Sequence, residues 1–198
     1  MRPVLDLLYR GSGALAALFL AAICGIVLLQ VGANLIDKLV GWFGGVPPGL
    51  LVPSYAEFTG FFLASASFLA LPYTLREGGH IRVSLLIQHV SGGARRGIEL
   101  WCLAMAAALT GYFTWFLVAL VFESLEFGDV SPGMVPVPLW IPQSGMALGL
   151  VVLTISLVDE FVVVLRGGRP SYQGKGESLM AEAAEPGTGA GGGTGGGG

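Results

Sequence analysis

The sequence predicts an all-α integral membrane protein with four transmembrane helices. Of its 198 residues, 54% are hydrophobic and only 12% are charged, whereas a soluble domain usually carries about 25% charged residues. Four long segments are almost free of charge, and nine of the ten Lys and Arg residues fall into three segments that a four-helix chain places on one side of a membrane. The chain has no basic tract, so nucleic acid is excluded as a partner.

The four predicted spans cover about residues 11–36, 54–74, 98–122 and 139–160. The first is uncharged over 26 positions. A spanning helix needs about 20 residues and a signal-peptide core has roughly 7–15, so we predict a retained helix. Residues 1–166 are assigned to one membrane domain, and the Gly-rich residues 167–198 to a disordered tail.

The end of the fourth span carries two adjacent acids, Asp159 and Glu160, followed by further apolar residues. The helix therefore either ends near residue 158 or is long and tilted. The two acids lie close to basic Arg166, which favours an interfacial role for them over an intramembrane ion site.

The second span begins with Ser54 and Glu57 in the capping-box spacing S-x-x-E, directly before an apolar run. We predict that these side chains cap the helix. Glu57 can also be a contact for a partner, and the two roles are compatible. The preceding stretch, LVGWFGGVPPGLLVP, is too interrupted to span and predicts an interfacial loop or a short in-plane helix with Trp42 and Phe43 as anchors.

Two short patterns inside the spans predict helix packing. Gln30 and Asn34 lie one turn apart and can line a pathway, although hydrogen bonding to a neighbouring helix or a position near the interface is favoured. Gly145 and Gly149 form a G-x-x-x-G pair, which permits close approach of another helix.

The segment between the second and third spans, residues 72–97, is polar and basic. Val83, Leu86, Ile87 and Val90 recur at helical spacing within it. This pattern predicts a short amphipathic helix at the membrane interface. Because basic residues concentrate in this segment, in the head and in the tail, the positive-inside rule places both termini and this helix on the cytoplasmic side.

No catalytic, cofactor-binding or metal site can be assembled from the sequence. Cys24 and Cys102 stand alone in apolar segments and are interpreted as packed thiols. His80 and His89 lie in the interfacial segment and not inside a span, where haem ligation would need them. These patterns favour a membrane subunit without an enzyme signature, and a four-helix electron-transfer subunit is the alternative.

Residues 78–86, GGHIRVSLL, resemble the small permease (Q-type) subunit of tripartite ATP-independent periplasmic (TRAP) transporters. The resemblance covers about residues 10–166. It includes Arg95 and Arg96 followed by Glu99, and the run PLWIPQ at 138–143. Ser84 departs from the family pattern, which usually has Asp at this position.

The resemblance implies a non-catalytic subunit in the bacterial inner membrane. It would brace a large permease subunit that takes up an organic acid or similar solute, coupled to sodium and delivered by a periplasmic solute-binding protein. No cofactor is expected here, since sodium would bind the large permease. The small subunit of another tripartite carboxylate transporter stays an alternative. Contacts with a partner or with lipid are expected at Glu57, Arg76, Gly79, His80, Arg82, Arg95 and Arg96. For the arginines, a role in setting the membrane topology and anchoring the chain to lipid explains their positions equally well.

Overall fold

Four α-helices form the described part of the chain. The computed structural model describes residues 2–46, 48–77 and 92–167, with side chains over 5–46, 48–77 and 96–167. The helices are α1 (Arg2–Trp42), α2 (Tyr55–Arg76), α3 (Gly92–Phe127) and α4 (Trp140–Leu165). Each contains a stretch long and apolar enough to cross a membrane, which confirms the predicted fold class. The predicted amphipathic helix around residues 83–90 and the tail lie outside the described residues.

The outer helices α1 and α3 are longer than the predicted spans. With 41 and 36 residues they measure about 61 and 54 Å. Asp37 and Lys38 do not end α1, because a charged residue is compatible with helical backbone. The helix stops only before Gly44, whose φ of 76° is left-handed. Gly128, with φ 66°, similarly follows the end of α3.

The helices are arranged as an open row in the order α1, α2, α4, α3. Extensive contacts join α1 to α2, α2 to α4 and α4 to α3, whereas α1 and α4 meet over only a few residues. In the most apolar window of α4, 44% of residues are buried, and in that of α3 none are. The two middle helices therefore supply the interior, and the two outer helices expose most of their surface.

The hydrophobic core is centred on α4, which packs against α3 and against Phe68, Leu71 and Leu75 of α2. Leu103 of α3 packs with residues that recur along one face of α4: Leu150, Leu153, Leu157 and Val164. The hydroxyls of Thr114 and Thr154 lie 3.0 Å apart across the same contact. This polar pair satisfies two hydroxyls within the membrane region without breaking the apolar packing around it.

The glycine pair in α4 makes the close approach to α2 that the sequence predicts. A Cβ atom built on Gly149 would lie 2.5 Å from the carbonyl carbon of Phe68, and one built on Gly145 would lie 2.6 Å from Ser65 Oγ. Only hydrogen at these positions lets the two backbones come so near. The prediction from the G-x-x-x-G spacing is confirmed.

The start of α2 corrects one prediction. The helix begins at Tyr55, as expected, but Ser54 has a left-handed conformation (φ 55°) and its side chain makes no capping bond. Instead, Ser54 Oγ accepts a hydrogen bond from the backbone N–H of Val135, at 2.9 Å. The capping-box interpretation is wrong because this conformation turns the hydroxyl towards the α3–α4 loop.

The structure decides two further predictions, one on the length of α4 and one on the two cysteines. Helix α4 continues without interruption to Leu165, so the alternative in which the helix ends near residue 158 is wrong. Cys24 and Cys102 are both exposed, on α1 and α3, so the interpretation as packed thiols is wrong for this chain by itself. Both thiols are on outer helices, which bury little of their surface.

We predict that Gly149→Ala lowers the thermal stability of the purified protein. The added methyl group meets Phe68 backbone, which cannot move aside as a flexible side chain could. Overpacking of this kind costs about 1–3 kcal/mol. The change in melting temperature is measured in detergent. Gly25→Ala is the matched control, because nothing lies within 4 Å of a Cβ there. An unchanged melting temperature for Gly149→Ala would contradict the packing described.

Candidate functional site

The predicted contact residues fall at opposite ends of the helix row. At one end, here called the basic end, the start of α1 meets the end of α2, and Arg96 near the start of α3 meets the end of α4. The other end, here called the loop end, consists of residues 43–46, 48–54 and 128–139 together with the adjoining turns of α2 and α3. Arg76 and Arg96 belong to the basic end and Glu57 to the loop end, so these residues do not form one site.

Arg76 joins the last turn of α2 to the first turns of α1. Its guanidinium forms an ion pair with Asp6, and its central carbon lies 5.1 Å from the centre of the Tyr9 ring. Asp6 and Tyr9 are three residues apart and therefore lie on one face of α1. The Tyr9 side chain is almost fully buried, with 2% exposure, so one arginine contacts both a charge and a covered aromatic ring.

Helix α4 lies behind this contact and carries the two adjacent acids. Glu160 is buried, with 6% exposure, and so is Ser156 one turn earlier, whereas Asp159 is half-buried. Successive residues point about 100° apart on a helix, which explains the difference between Asp159 and Glu160. The sequence favoured an interfacial role for both acids, and the structure places Glu160 in the interior of the basic end.

A second contact between α1 and α2 lies just inside the basic end. Ser12 Oγ donates a 2.5 Å hydrogen bond to the carbonyl oxygen of Leu69, and Gly13 lies directly against the Tyr73 side chain. A small residue and a hydroxyl thus allow the two helices to approach closely and bond to each other. The first turns of α1 are therefore firmly attached to α2.

Arg96 binds the end of α4. Its Nη2 atom donates to the carbonyl oxygens of Val164 and Leu165, at 3.1 and 3.0 Å. Carbonyl groups in the last turn of a helix lack helical partners, and a cation there interacts favourably with the helix dipole. Arg96 therefore fastens α3 to α4 within the chain, in addition to any contact outside it.

At the loop end, Gln30 holds the loop that leads into α2. Its Oε1 atom accepts a hydrogen bond from Val52 N at 2.9 Å, and its Nε2 atom donates to Asn34 Oδ1 at 3.2 Å. Gln30 is 5% exposed, so these bonds satisfy a buried amide. Its partners are a loop and its own helix. The sequence had favoured a neighbouring helix or the interface.

The loop between α3 and α4 is held by its own hydrogen bonds. Leu139 N donates to Asp129 O at 2.9 Å, Ser131 N donates to Val137 O at 2.8 Å, and Val137 N donates to Ser131 Oγ at 3.2 Å. Together with the bond from Val135 N to Ser54, these contacts place the loop over the start of α2. The loop end thus has a defined shape.

Glu57 lies beneath this loop. Its carboxylate contacts Gly133 so closely that a side chain at position 133 would take the place of Oε2. Oε2 is shielded from solvent and has no hydrogen-bond partner among the described residues. Glu57 also lines a cavity of about 380 Å³ whose walls are mostly apolar and include Leu51, Tyr55, Pro132 and Met134. The arrangement presents a carboxyl group in an apolar recess at the loop end.

The remaining predicted contacts cannot be placed. Arg95 is in α3, but its side chain lies outside the described residues, as do Gly79, His80 and Arg82. Sequence reasoning missed Asp6, Tyr9 and Gly133. The spacing of Asp6 and Tyr9 on one helical face was a signal for the first two. Gly133 contacts Glu57, 76 positions away in the sequence, and no local pattern indicates that.

We predict that Asp6 and Arg76 are energetically coupled. Asp6→Asn and Arg76→Gln should each lower the melting temperature in detergent, and the double variant should lose less than the sum, with a coupling of about 0.5–1 kcal/mol. Arg10→Gln, an exposed cation of the same end, is the control and should change little. Strict additivity of the two substitutions would show that the ion pair contributes nothing.

We predict that Gly133→Ala destabilises the loop end through Glu57. The new methyl group displaces the carboxylate, and the additional change Glu57→Ala should restore most of the lost stability because it vacates the space. Melting temperatures of the two single variants and the double variant measure this effect. Gly60→Ala, with nothing within 4 Å, is the control. A double variant as unstable as Gly133→Ala alone would contradict the contact.

Comparison with known proteins identifies the family. Residues 50–167 match the family described as “Tripartite ATP-independent periplasmic transporters, DctQ component”. The match covers α2, α3, α4, the whole loop segment 128–139 and residues 50–54 of the first loop segment, and it begins after α1. No curated protein and no solved structure matches the chain. Since the match extends over more than half of the chain, this protein belongs to the DctQ family, the small membrane component of TRAP transporters.

Proposed function

We propose that this chain is a non-catalytic subunit that braces the large permease of a TRAP transporter. The large permease would carry solute and sodium, and a periplasmic solute-binding protein would deliver an organic acid or similar solute. Family membership supports the place of the chain in such a transporter. The identity of the partners, the sodium coupling and the class of solute belong to the proposal.

The observation that carries the proposal is the open row of helices. A protein that moves a solute by itself encloses a pathway, usually near broken helices at the midplane. In the described part of this chain, four continuous helices stand side by side, and α3, one of the two outer helices, buries none of its most apolar window. A wall one helix thick suits a subunit that completes a larger membrane protein.

The polar groups inside the row support a structural role. Ser12 and Ser65 donate to backbone carbonyl oxygens of neighbouring segments, and Thr114 pairs with Thr154. These bonds hold helices together, as polar side chains do at helix contacts in membranes. Their role is thus in packing helices against one another.

The distribution of charge supports an orientation with the basic end in the cytoplasm. Lys38 is the one basic residue between positions 37 and 75 and between positions 97 and 165, whereas the basic end and the flanking segments hold the other nine. The loop end then faces the periplasm. Its acids Glu123, Glu126 and Asp129 are exposed, and they give this end a negative charge to which the binding protein can dock.

We predict that the chain alone transports nothing. It is reconstituted into liposomes under an inward sodium gradient and offered the solute that copurifies with the cognate binding protein, in labelled form. No uptake is expected from this subunit alone. Uptake should appear when the large permease and loaded binding protein are added, and should vanish when potassium replaces sodium.

Two results of this assay would contradict the proposal. Solute accumulation by this subunit alone would mean that the chain contains its own pathway, with Asp159 and Glu160 as the first residues to test. Full uptake by the large permease and binding protein without this subunit would mean that it does not brace the transporter.

A further inference from the structure

Helix α3 presents a face that no other described helix covers. The exposed residues on this face recur at alternating spacings of four and three, so they form one stripe along the helix. We call it the outer stripe of α3, and its members are Trp101, Met105, Ala108, Tyr112, Trp115, Ala119 and Phe122. Along it, each of the two alanines follows a pair of large side chains.

Tyr112 lies near the middle of the membrane-spanning part of α3. The charged residues that bound the apolar run are Glu99 and Glu123. At about 1.5 Å per residue, Tyr112 is about 20 Å from the first and about 17 Å from the second. Since the hydrocarbon core is about 30 Å thick, any placement that keeps both acids outside the core puts Tyr112 near its centre. Tyrosines that anchor helices in the headgroup region lie at the interfaces instead.

The hydroxyl of Tyr112 has no hydrogen-bond partner among the described residues. The side chain is 61% exposed, and its ring contacts Phe113 and Phe116 of the same helix, with centroids 6.1 and 4.7 Å away. The neighbouring hydroxyls of Thr110 and Thr114 bond to carbonyl groups of their own helix. Lipid tails offer no acceptor, so an unbonded phenol at this depth is costly.

We propose that the outer stripe of α3 binds a transmembrane helix of the large permease, which presents a hydrogen-bonding group to the hydroxyl of Tyr112. This inference rests on the proposed function. Ala108 and Ala119 leave room beside the rings of Tyr112 and Trp115, and small residues of this kind let membrane helices approach closely. The four-and-three spacing suits a left-handed crossing of about 20°.

The outer face of α1 has a different character. Between residues 18 and 31 its exposed large side chains are all Leu or Val, for example Leu18, Leu28 and Leu29 at 64, 65 and 67% exposure. Branched aliphatic side chains mix well with lipid tails and leave no polar group unsatisfied. This contrast indicates that the outer face of α1 contacts lipid and that the outer stripe of α3 contacts the protein partner.

The test uses the two permease subunits expressed together, with an affinity tag on this chain. Tyr112→Phe removes only the hydroxyl, and an interhelical hydrogen bond in a membrane contributes enough to weaken association about three- to tenfold when it is lost. Ala108→Trp fills the space beside Tyr112 and should weaken association more than tenfold. The amount of large permease retained per tagged chain, titrated with detergent, measures the effect.

Matched controls separate binding from folding. Both substituted residues are exposed in this chain, so the melting temperature of the isolated subunit should not change. Leu28→Trp puts the same bulky group on the exposed face of α1 and should leave association unchanged. A photoreactive phenylalanine analogue at position 115 should crosslink to the large permease, and the same analogue at position 28 should not.

The outcomes are distinguishable. Wild-type retention by both Tyr112→Phe and Ala108→Trp would overturn the inference. Crosslinking from position 115 to a second copy of this chain, or to lipid alone, would also overturn it. If the wild-type chain retains no large permease under any condition, the proposed function itself fails. If the wild-type chain assembles with the large permease and the variants of the outer stripe do so equally well, only the proposal that this face is the binding surface is refuted.

Discussion

The backbone contact between Gly149 of α4 and Phe68 of α2 is the constraint on which the rest of the structure depends. Among the described helices, α2 and α4 are the two with extensive contacts on both sides, and this contact joins them to each other. Without this close approach the row would separate into an α1–α2 pair and an α3–α4 pair. The basic end and the loop end both include or adjoin segments of α2 and α4, so both depend on this contact. Glu57 precedes the α2 side of the contact, and the loop that covers it leads into α4.

Arginines at the basic end have two roles. Their number on one side of the chain sets the predicted orientation in the membrane, and the same charges hold helices together. Arg76 binds Asp6 and covers Tyr9, while Arg96 binds the last carbonyl groups of α4. Each of these arginines joins helices that are neighbours in the row. The same residues therefore contribute to the membrane topology and to helix packing.

The fold was largely predictable from the sequence, and the contacts between distant segments were not. Charge-free runs reveal spans because the membrane interior excludes charge, and the Gly145–Gly149 spacing indicates a helix contact because only small residues permit one. The spacing of Ser54 and Glu57 led to a wrong prediction, since a local capping pattern says nothing about Val135, 81 residues later, whose N–H binds the same hydroxyl. Tyr9 and Glu160 were equally hidden, because their burial depends on how three helices converge.

The length of α1 has a consequence for the lipid around the protein. Its uncharged stretch of 26 residues is about 39 Å long, against about 30 Å of hydrocarbon. To bury that stretch in an undisturbed bilayer, α1 would have to tilt by about 40°, which is the upper limit seen for spanning helices. The uncharged stretch of α2, residues 58–75, is about 27 Å long and needs no tilt. The hydrophobic mismatch therefore lies at the α1 edge of the row, and this edge favours longer acyl chains and a locally thicker bilayer.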